Sequence, residues 1–175
     1  MEHSEKIKFI HEHVGGEYNK LKDSHMGLTR TGIDALNEIE RGIYSDCFLL
    51  HARNLIDFLS NNRGVKSCRE CVICKKCQKR EKQKQEDNVL ALDFVKSRKP
   101  IMAKERLMPK IEDGNGENIY LYVRINKQLS HITKSRRNNT DFFDGEELYQ
   151  KIFKNIKKGL KKYNKMAERD FEIKL

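Results

Sequence analysis

Apolar residues along this chain recur mostly at intervals of three and four, the spacing of a helical face. The clearest case is Ser45 to Asn61, SDCFLLHARNLIDFLSN, where Phe48, Leu49, Leu50, Leu55, Ile56, Phe58 and Leu59 cover most of a helical wheel. A helix apolar nearly all round belongs in the middle of a bundle. Asn61-Asn62-Arg63-Gly64 is its expected stop. Upstream, Glu5 to Val14 predicts a short helix ended by Gly15-Gly16. Thr31-Gly32-Ile33-Asp34 has the form of a capping box and predicts a helix from Ile33 to about Gly42. Downstream, Asn88 to Arg98 (NVLALDFVKSR) is a further helical pattern, closed before Pro100. A loop with Pro109 and the turn signal Asp113-Gly114-Asn115-Gly116 leads to a helix from about Asn118 to Ser135. Asp144-Gly145-Glu146-Glu147 caps the last, whose stripe is Leu148, Ile152, Ile156, Leu160 and Tyr163. Val65 to Glu86 breaks the pattern, being rich first in cysteine and then in charge. The expected fold is all-α: an antiparallel bundle of four to five helices, forming a single domain over residues 1–175. A Cys-rich basic insertion, 65–86, lies between the second and third core helices.

Composition agrees with helices. The chain has 175 residues, only two Pro and no Trp, with 35% charged and 37% hydrophobic residues. Mean hydropathy is −0.81, and no apolar run approaches the roughly 18 residues that span a bilayer. The start, Met1-Glu2-His3-Ser4-Glu5-Lys6, lacks the apolar stretch of a signal peptide. The expected compartment is therefore the cytoplasm, where cysteines stay reduced and read as thiols or metal ligands. The formal charge is +10, an excess that concentrates polyanions without identifying which one. It gathers in Lys66 to Lys84 and in Lys151 to Lys174, each of which reads equally well as a solvated face.

On the helix expected from Asn118 to Ser135, Tyr122, Ile125, Leu129 and Ile132 form one apolar stripe. Arg124 and His131 are seven residues apart, so they fall within about 20° of each other, two turns along one line. That line lies roughly 130° from the middle of the stripe. A neutral imidazole can take the proton of a ribose 2′-hydroxyl. A guanidinium can hold the scissile phosphate and stabilise its added charge in the transition state. Together they suit metal-independent RNA cleavage through a 2′,3′-cyclic phosphate, with a second copy across a dimer interface supplying the missing acid or base.

These residues carry a resemblance. Arg124-Ile-Asn-Lys-Gln-Leu-Ser-His131 resembles the Arg, four to six residues, His mark of the HEPN superfamily. HARNLIDFL (His51 to Leu59), NVLALDFV and RINKQLSHIT look like successive helices of one HEPN-like group, over roughly residues 33 to 165. Ile125 follows the Arg, and the polar Asn126 comes one later. The resemblance implies a helical-bundle endoribonuclease of toxin–antitoxin or phage-defence systems, acting as a homodimer. Arg124 and His131 would be catalytic, with Asn126 and Lys127 assisting in positioning.

Cys68, Cys71, Cys74 and Cys77 form C-x2-C-x2-C-x2-C. Thiolates at this density suit a structural metal, zinc ahead of an iron–sulfur cluster. A thiol-rich loop without metal is the alternative. With metal bound, the segment would be rigidified and would present Lys75, Lys76, Lys79 and Arg80 to RNA phosphates. Cys47 reads as a buried helix residue, and His11 and His13 as a pair pointing apart. His51 is expected to be a structural histidine bonded to a neighbouring helix. Arg53 shares a polar line with Asp46 and Asp57, which predicts a salt-bridge network. The functional alternative for both His51 and Arg53 is that they border an RNA cleft.

Three functions fit these features. The first is the endoribonuclease. The second is a non-catalytic RNA-binding module using the basic Cys loop and the C-terminal lysines. The third is a partner subunit that docks on an antitoxin or a defence-system protein. No membrane partner is expected.

Overall fold

A computed structural model describes residues 2–30, 36–60, 89–97, 99–108, 110–112, 118–120 and 146–175. Helix dominates them, and no described helix is long and apolar enough to cross a membrane. The predicted insertion 65–86 and residues 121–145 lie outside the described residues.

The chain opens with α1 (His3–Phe9), passes through a π turn at Ile10–Val14, and continues as α2 (Gly15–Arg30). The expected stop at Gly15-Gly16 is thus corrected. Gly15 takes right-handed helical angles, and its N–H donates to Ile10 O. Two helical glycines cost roughly 1 kcal/mol each. The buried line Ile10, Val14, Tyr18, Leu21 and Leu28 runs straight across them, and burial of each such side chain contributes about 1.5–3 kcal/mol. Packing outweighs propensity here.

Helix α3 (Glu38–Ser60) is one continuous element where the sequence predicts two. Thr31 to Asp34 lies outside the described residues; the capping box of α3 is instead built by Asn37 and Glu40. Asn37 Oδ1 accepts the Glu40 N–H at 2.9 Å, and Glu40 Oε2 accepts the Asn37 N–H at 3.1 Å. Phe48, Leu49, Ala52, Leu55, Ile56, Phe58 and Leu59 are buried, which places this helix at the centre as its pattern predicts. Leu50 departs from the expectation and is exposed, as are Ile39 and Ile43. Cys47, expected to be buried, is also exposed.

The last helix is α5 (Glu146–Asn164). Its core line is Tyr149, Ile152, Ile156, Leu160 and Tyr163, all buried, with Leu148 partly so. α2, α3 and α5 pack on one another. Glu17 meets His51 while His25 approaches Phe48, so α2 and α3 run antiparallel. Ser45 and Phe48 meet Tyr149 while Phe58 meets Tyr163, so α5 runs in the same direction as α3.

Between these helices the expectations fail in two places. Of the segment Asn88 to Arg98, the described residues 89–97 do not form an α-helix: they hold one 3-10 turn, Ala91–Asp93, and Val95 bridges to Ala167. Leu90, Ala91, Phe94 and Val95 are buried nonetheless. Asp93 Oδ2 accepts the Leu90 N–H at 2.8 Å, so a side chain meets the donor that a continuing helix would have used. Ile101 and Met102 N–H then donate to Leu59 O, closing the end of α3. After the short α4 (Lys104–Leu107) come β1 (Lys110–Glu112) and β2 (Asn118–Tyr120), paired antiparallel with Ile111 opposite Ile119. The predicted helix start at Asn118 is therefore wrong. Asp113-Gly114-Asn115-Gly116 falls between the two strands in sequence and lies outside the described residues.

The C-terminal segment folds back over the end of α5. Asn164 Nδ2 donates to Ile173 O at 2.7 Å, and its Oδ1 accepts the Ile173 N–H at 2.9 Å. Burial pushes the Tyr163 phenol far up, and its hydroxyl donates to Phe171 O.

Gly27 of α2 lies directly against the Tyr44 ring of α3. A Cβ there would lie 2.5 Å from the Tyr44 ring. Gly27→Ala is expected to destabilise by about 1 kcal/mol, the overpacking exceeding the better helix propensity of alanine. In a Tyr44→Ala background the same change becomes neutral or stabilising. Urea denaturation of the four proteins of this cycle measures both effects.

Candidate functional site

Two features of the described residues have the chemistry to meet a nucleic acid. One is a groove of about 480 Å³ between the α1–α2 junction and α3. The π turn lies at its edge and contributes His13 and Val14 to its lining. Phe9, at the end of α1, and His13, within the turn, have ring centroids 4.9 Å apart. Val14, Phe58 and Leu90 supply a buried apolar lining.

Glu17, Arg53, Asn54 and Asp57 bring charge and hydrogen-bonding groups to the same groove. Glu17 Oε2 accepts from His51 Nδ1 at 2.8 Å and from Asn54 Nδ2 at 2.9 Å. A carboxylate acceptor requires hydrogen on Nδ1, so Glu17 fixes the tautomer and ring orientation of His51. The expected structural role of His51, bonded to a neighbouring helix, is what the geometry gives. Arg53 departs from its expected network. Asp57 pairs with Lys104 instead, at 3.1 Å, and among the described residues no carboxylate forms an ion pair with Arg53. A half-buried guanidinium in a groove, with its donors uncommitted, is suited to a phosphate.

The second feature is the outer face of α5. Lys151, Lys154, Lys158 and Lys161 are exposed, and exposed Lys165 follows the helix end. At 100° per residue these five span about 80°, opposite the buried tyrosine–isoleucine line. From Lys151 to Lys161 the row is about 15 Å long. No Asp or Glu occurs between Glu147 and Glu168, and among the described residues no carboxylate forms an ion pair with this row, so the helix face itself is positive. Lys162 is used differently, its Nζ donating to Ile101 O at 2.6 Å.

Of the residues singled out by sequence, the structure places Arg53 in the groove lining, while His51 lies outside that lining and is bonded to it through Glu17. Arg124, Asn126, Lys127 and His131 lie outside the described residues, as do Cys68, Cys71, Cys74, Cys77, Lys75, Lys76, Lys79 and Arg80. Among the described residues no three His, Cys, Asp or Glu side chains are grouped to hold a metal. His11 approaches Asp170 O at 3.1 Å. Sequence reasoning missed Phe9, Glu17 and Asn54, and set His13 aside as one of a pair pointing apart. The i, i+4 spacing of Phe9, His13 and Glu17 was a signal, hidden by the expected stop at the glycines.

Comparison with protein families, with curated proteins and with solved structures found no match to this chain.

Proposed function

We propose that this chain is a metal-independent endoribonuclease of HEPN type that cleaves RNA through attack of the ribose 2′-hydroxyl, in a toxin–antitoxin or phage-defence setting. The observation that carries the RNA part is the row of exposed lysines on α5, whose spacing along one face suits a run of phosphates. The catalytic part rests on the Arg124 to His131 spacing and its resemblance. His131 would act as general base or acid, and Arg124 would hold the phosphate, with Asn126 and Lys127 positioning it. A helical bundle of four to five helices, paired as a homodimer, would supply the second acid or base. The insertion 65–86 would carry a structural zinc or iron–sulfur site at Cys68, Cys71, Cys74 and Cys77, with no part in the chemistry.

The lysine row also favours a second reading, a binding module without catalysis that works alone or with an antitoxin or defence-system partner. Incubating the purified chain with labelled single-stranded RNA in EDTA separates the two. Cleavage with 2′,3′-cyclic phosphate ends is the expected result; retention without cleavage moves the binding module ahead.

Both readings share one expected outcome. Lys154→Gln, Lys158→Gln and Lys161→Gln together should flatten the dependence of log K on log salt by about two, each phosphate contact on a single strand being worth about 0.7. Fluorescence anisotropy from low to moderate salt measures the slope. Because the three side chains are exposed or nearly so, the unfolding midpoint should stay within the effect of ordinary surface changes, about 0.5 kcal/mol.

A further inference from the structure

We infer that the groove between the α1–α2 junction and α3 binds one 5′-phosphorylated nucleotide unit of the RNA, with Arg53 on its phosphate and the base lodged between the His13 ring and the apolar floor. The inference rests on the reading that RNA is the partner, and it adds a subsite built from residues outside the Arg124 to His131 helix.

Three observations converge on this ligand. The groove, about 480 Å³, falls within the roughly 300–1,000 Å³ of small-ligand sites. Its lining joins an apolar floor to a larger polar surface from Glu17, Arg53, Asn54 and Asp57. Phe58, Val14 and Leu90 are buried in the floor. Phe9 and His13 form a ring pair at its edge, His13 exposed and so available to stack. Aromatic faces accept unpaired bases readily, each contact being sequence-tolerant.

The polar groups fix the orientation. Arg53 is the cation of the groove on α3, and its planar fork matches two phosphate oxygens. The anions beside it are already engaged, Glu17 by His51 and Asn54, and Asp57 by Lys104. The guanidinium therefore has no competing ion pair among the described residues. The Glu17 interactions use Oε2 alone and take the Asn54 amide as donor. Among the described residues Glu17 Oε1 and Asn54 Oδ1 accept no hydrogen bond, and both suit a base edge that presents an amino group. Adenine, cytosine or guanine fits that edge better than uracil.

The test is titration of the full chain, followed by two-dimensional amide NMR, with adenosine 5′-monophosphate, uridine 5′-monophosphate, adenosine and inorganic phosphate as separate probes. The expected result is saturable movement of the Asn54 side-chain signal and the His13 amide with adenosine 5′-monophosphate. Uridine 5′-monophosphate should bind less tightly, and adenosine and phosphate alone less tightly still. Arg53→Ala should weaken the nucleotide by about tenfold, the worth of a hydrogen bond to a charged group. His13→Ala, at an exposed position, is a second variant that leaves the core untouched and should also weaken binding. No movement at these signals, or equal affinity in wild type and Arg53→Ala, overturns the subsite. Equal affinity for the uridine nucleotide overturns the assignment of the base edge. RNA cleavage measured on the same samples keeps the two claims apart. Nucleotide bound with RNA left intact contradicts the ribonuclease and supports the groove; RNA cleaved with the nucleotide ignored does the reverse.

Discussion

Phe48→Ala is expected to lower the stability of the fold by about 3–5 kcal/mol, the range for truncating a buried phenylalanine. Phe48 has no solvent-exposed surface, and it stands where the three long helices meet. Its ring lies edge-on to Tyr149 with centroids 5.1 Å apart, and the His25 ring approaches it at 6.0 Å. The Tyr149 hydroxyl donates to Ser45 Oγ at 2.9 Å, one turn before Phe48 on α3. Removing the ring leaves a cavity against both neighbouring helices and loosens the polar contact beside it. The matched control is Leu50→Ala, two residues further along the same helix, where the side chain is 42% exposed. That change should stay within about 0.5 kcal/mol. Urea denaturation measures both through the midpoint at constant slope. Equal losses at the two positions would contradict the arrangement of α3.

His131→Ala is expected to slow RNA cleavage by roughly 10²–10⁴-fold, the usual worth of a positioned acid or base. A residue that moves a proton in the transition state contributes little to holding the ground state. RNA affinity should therefore hold while the rate falls. The lysine variants of α5 should show the opposite pattern, with affinity and its salt dependence falling first. The two sets of variants thus separate chemistry from attraction on one molecule. A His131→Ala protein that cleaves at the wild-type rate would remove His131 from the mechanism.

Much of the helical framework was legible in the sequence, because its signal is a periodicity that packing enforces. The centre of α3 and the buried stripe of α5 follow directly from apolar residues at helical spacing. Where the reading failed, a local signal competed with a longer one. Gly15-Gly16 reads as a stop, yet Ile10, Val14, Tyr18 and Leu21 carry the stripe across it, and the stripe wins. Leu90, Ala91, Phe94 and Val95 have helical spacing, yet they reach the core from a 3-10 turn and a bridge to Ala167. Spacing over so short a run cannot separate these outcomes. Asn118 was assigned to a helix although Asp113-Gly114-Asn115-Gly116 precedes it, and that turn signal favours the strand pair observed.

The groove was less legible still, since it joins residues from three distant stretches of chain. His51 could be read as structural from its place at the flank of an apolar helix, but Glu17 could not be named as its partner. Arg53 was assigned to Asp57 by helical spacing, and only the fold shows Lys104 taking that carboxylate. Pairings between elements depend on which faces meet, and a single helix pattern does not contain that information.

The central claim, RNA cleavage by 2′-hydroxyl attack without metal, is tested most directly with a labelled RNA and the same strand made with 2′-deoxyribose at its cleaved nucleotide. Both are incubated with the purified chain in EDTA. The expected result is cleavage of the RNA to a 2′,3′-cyclic phosphate end and an intact bond at the deoxy position. Cleavage at the deoxy position, or none of the RNA unless a divalent metal is restored, would contradict it.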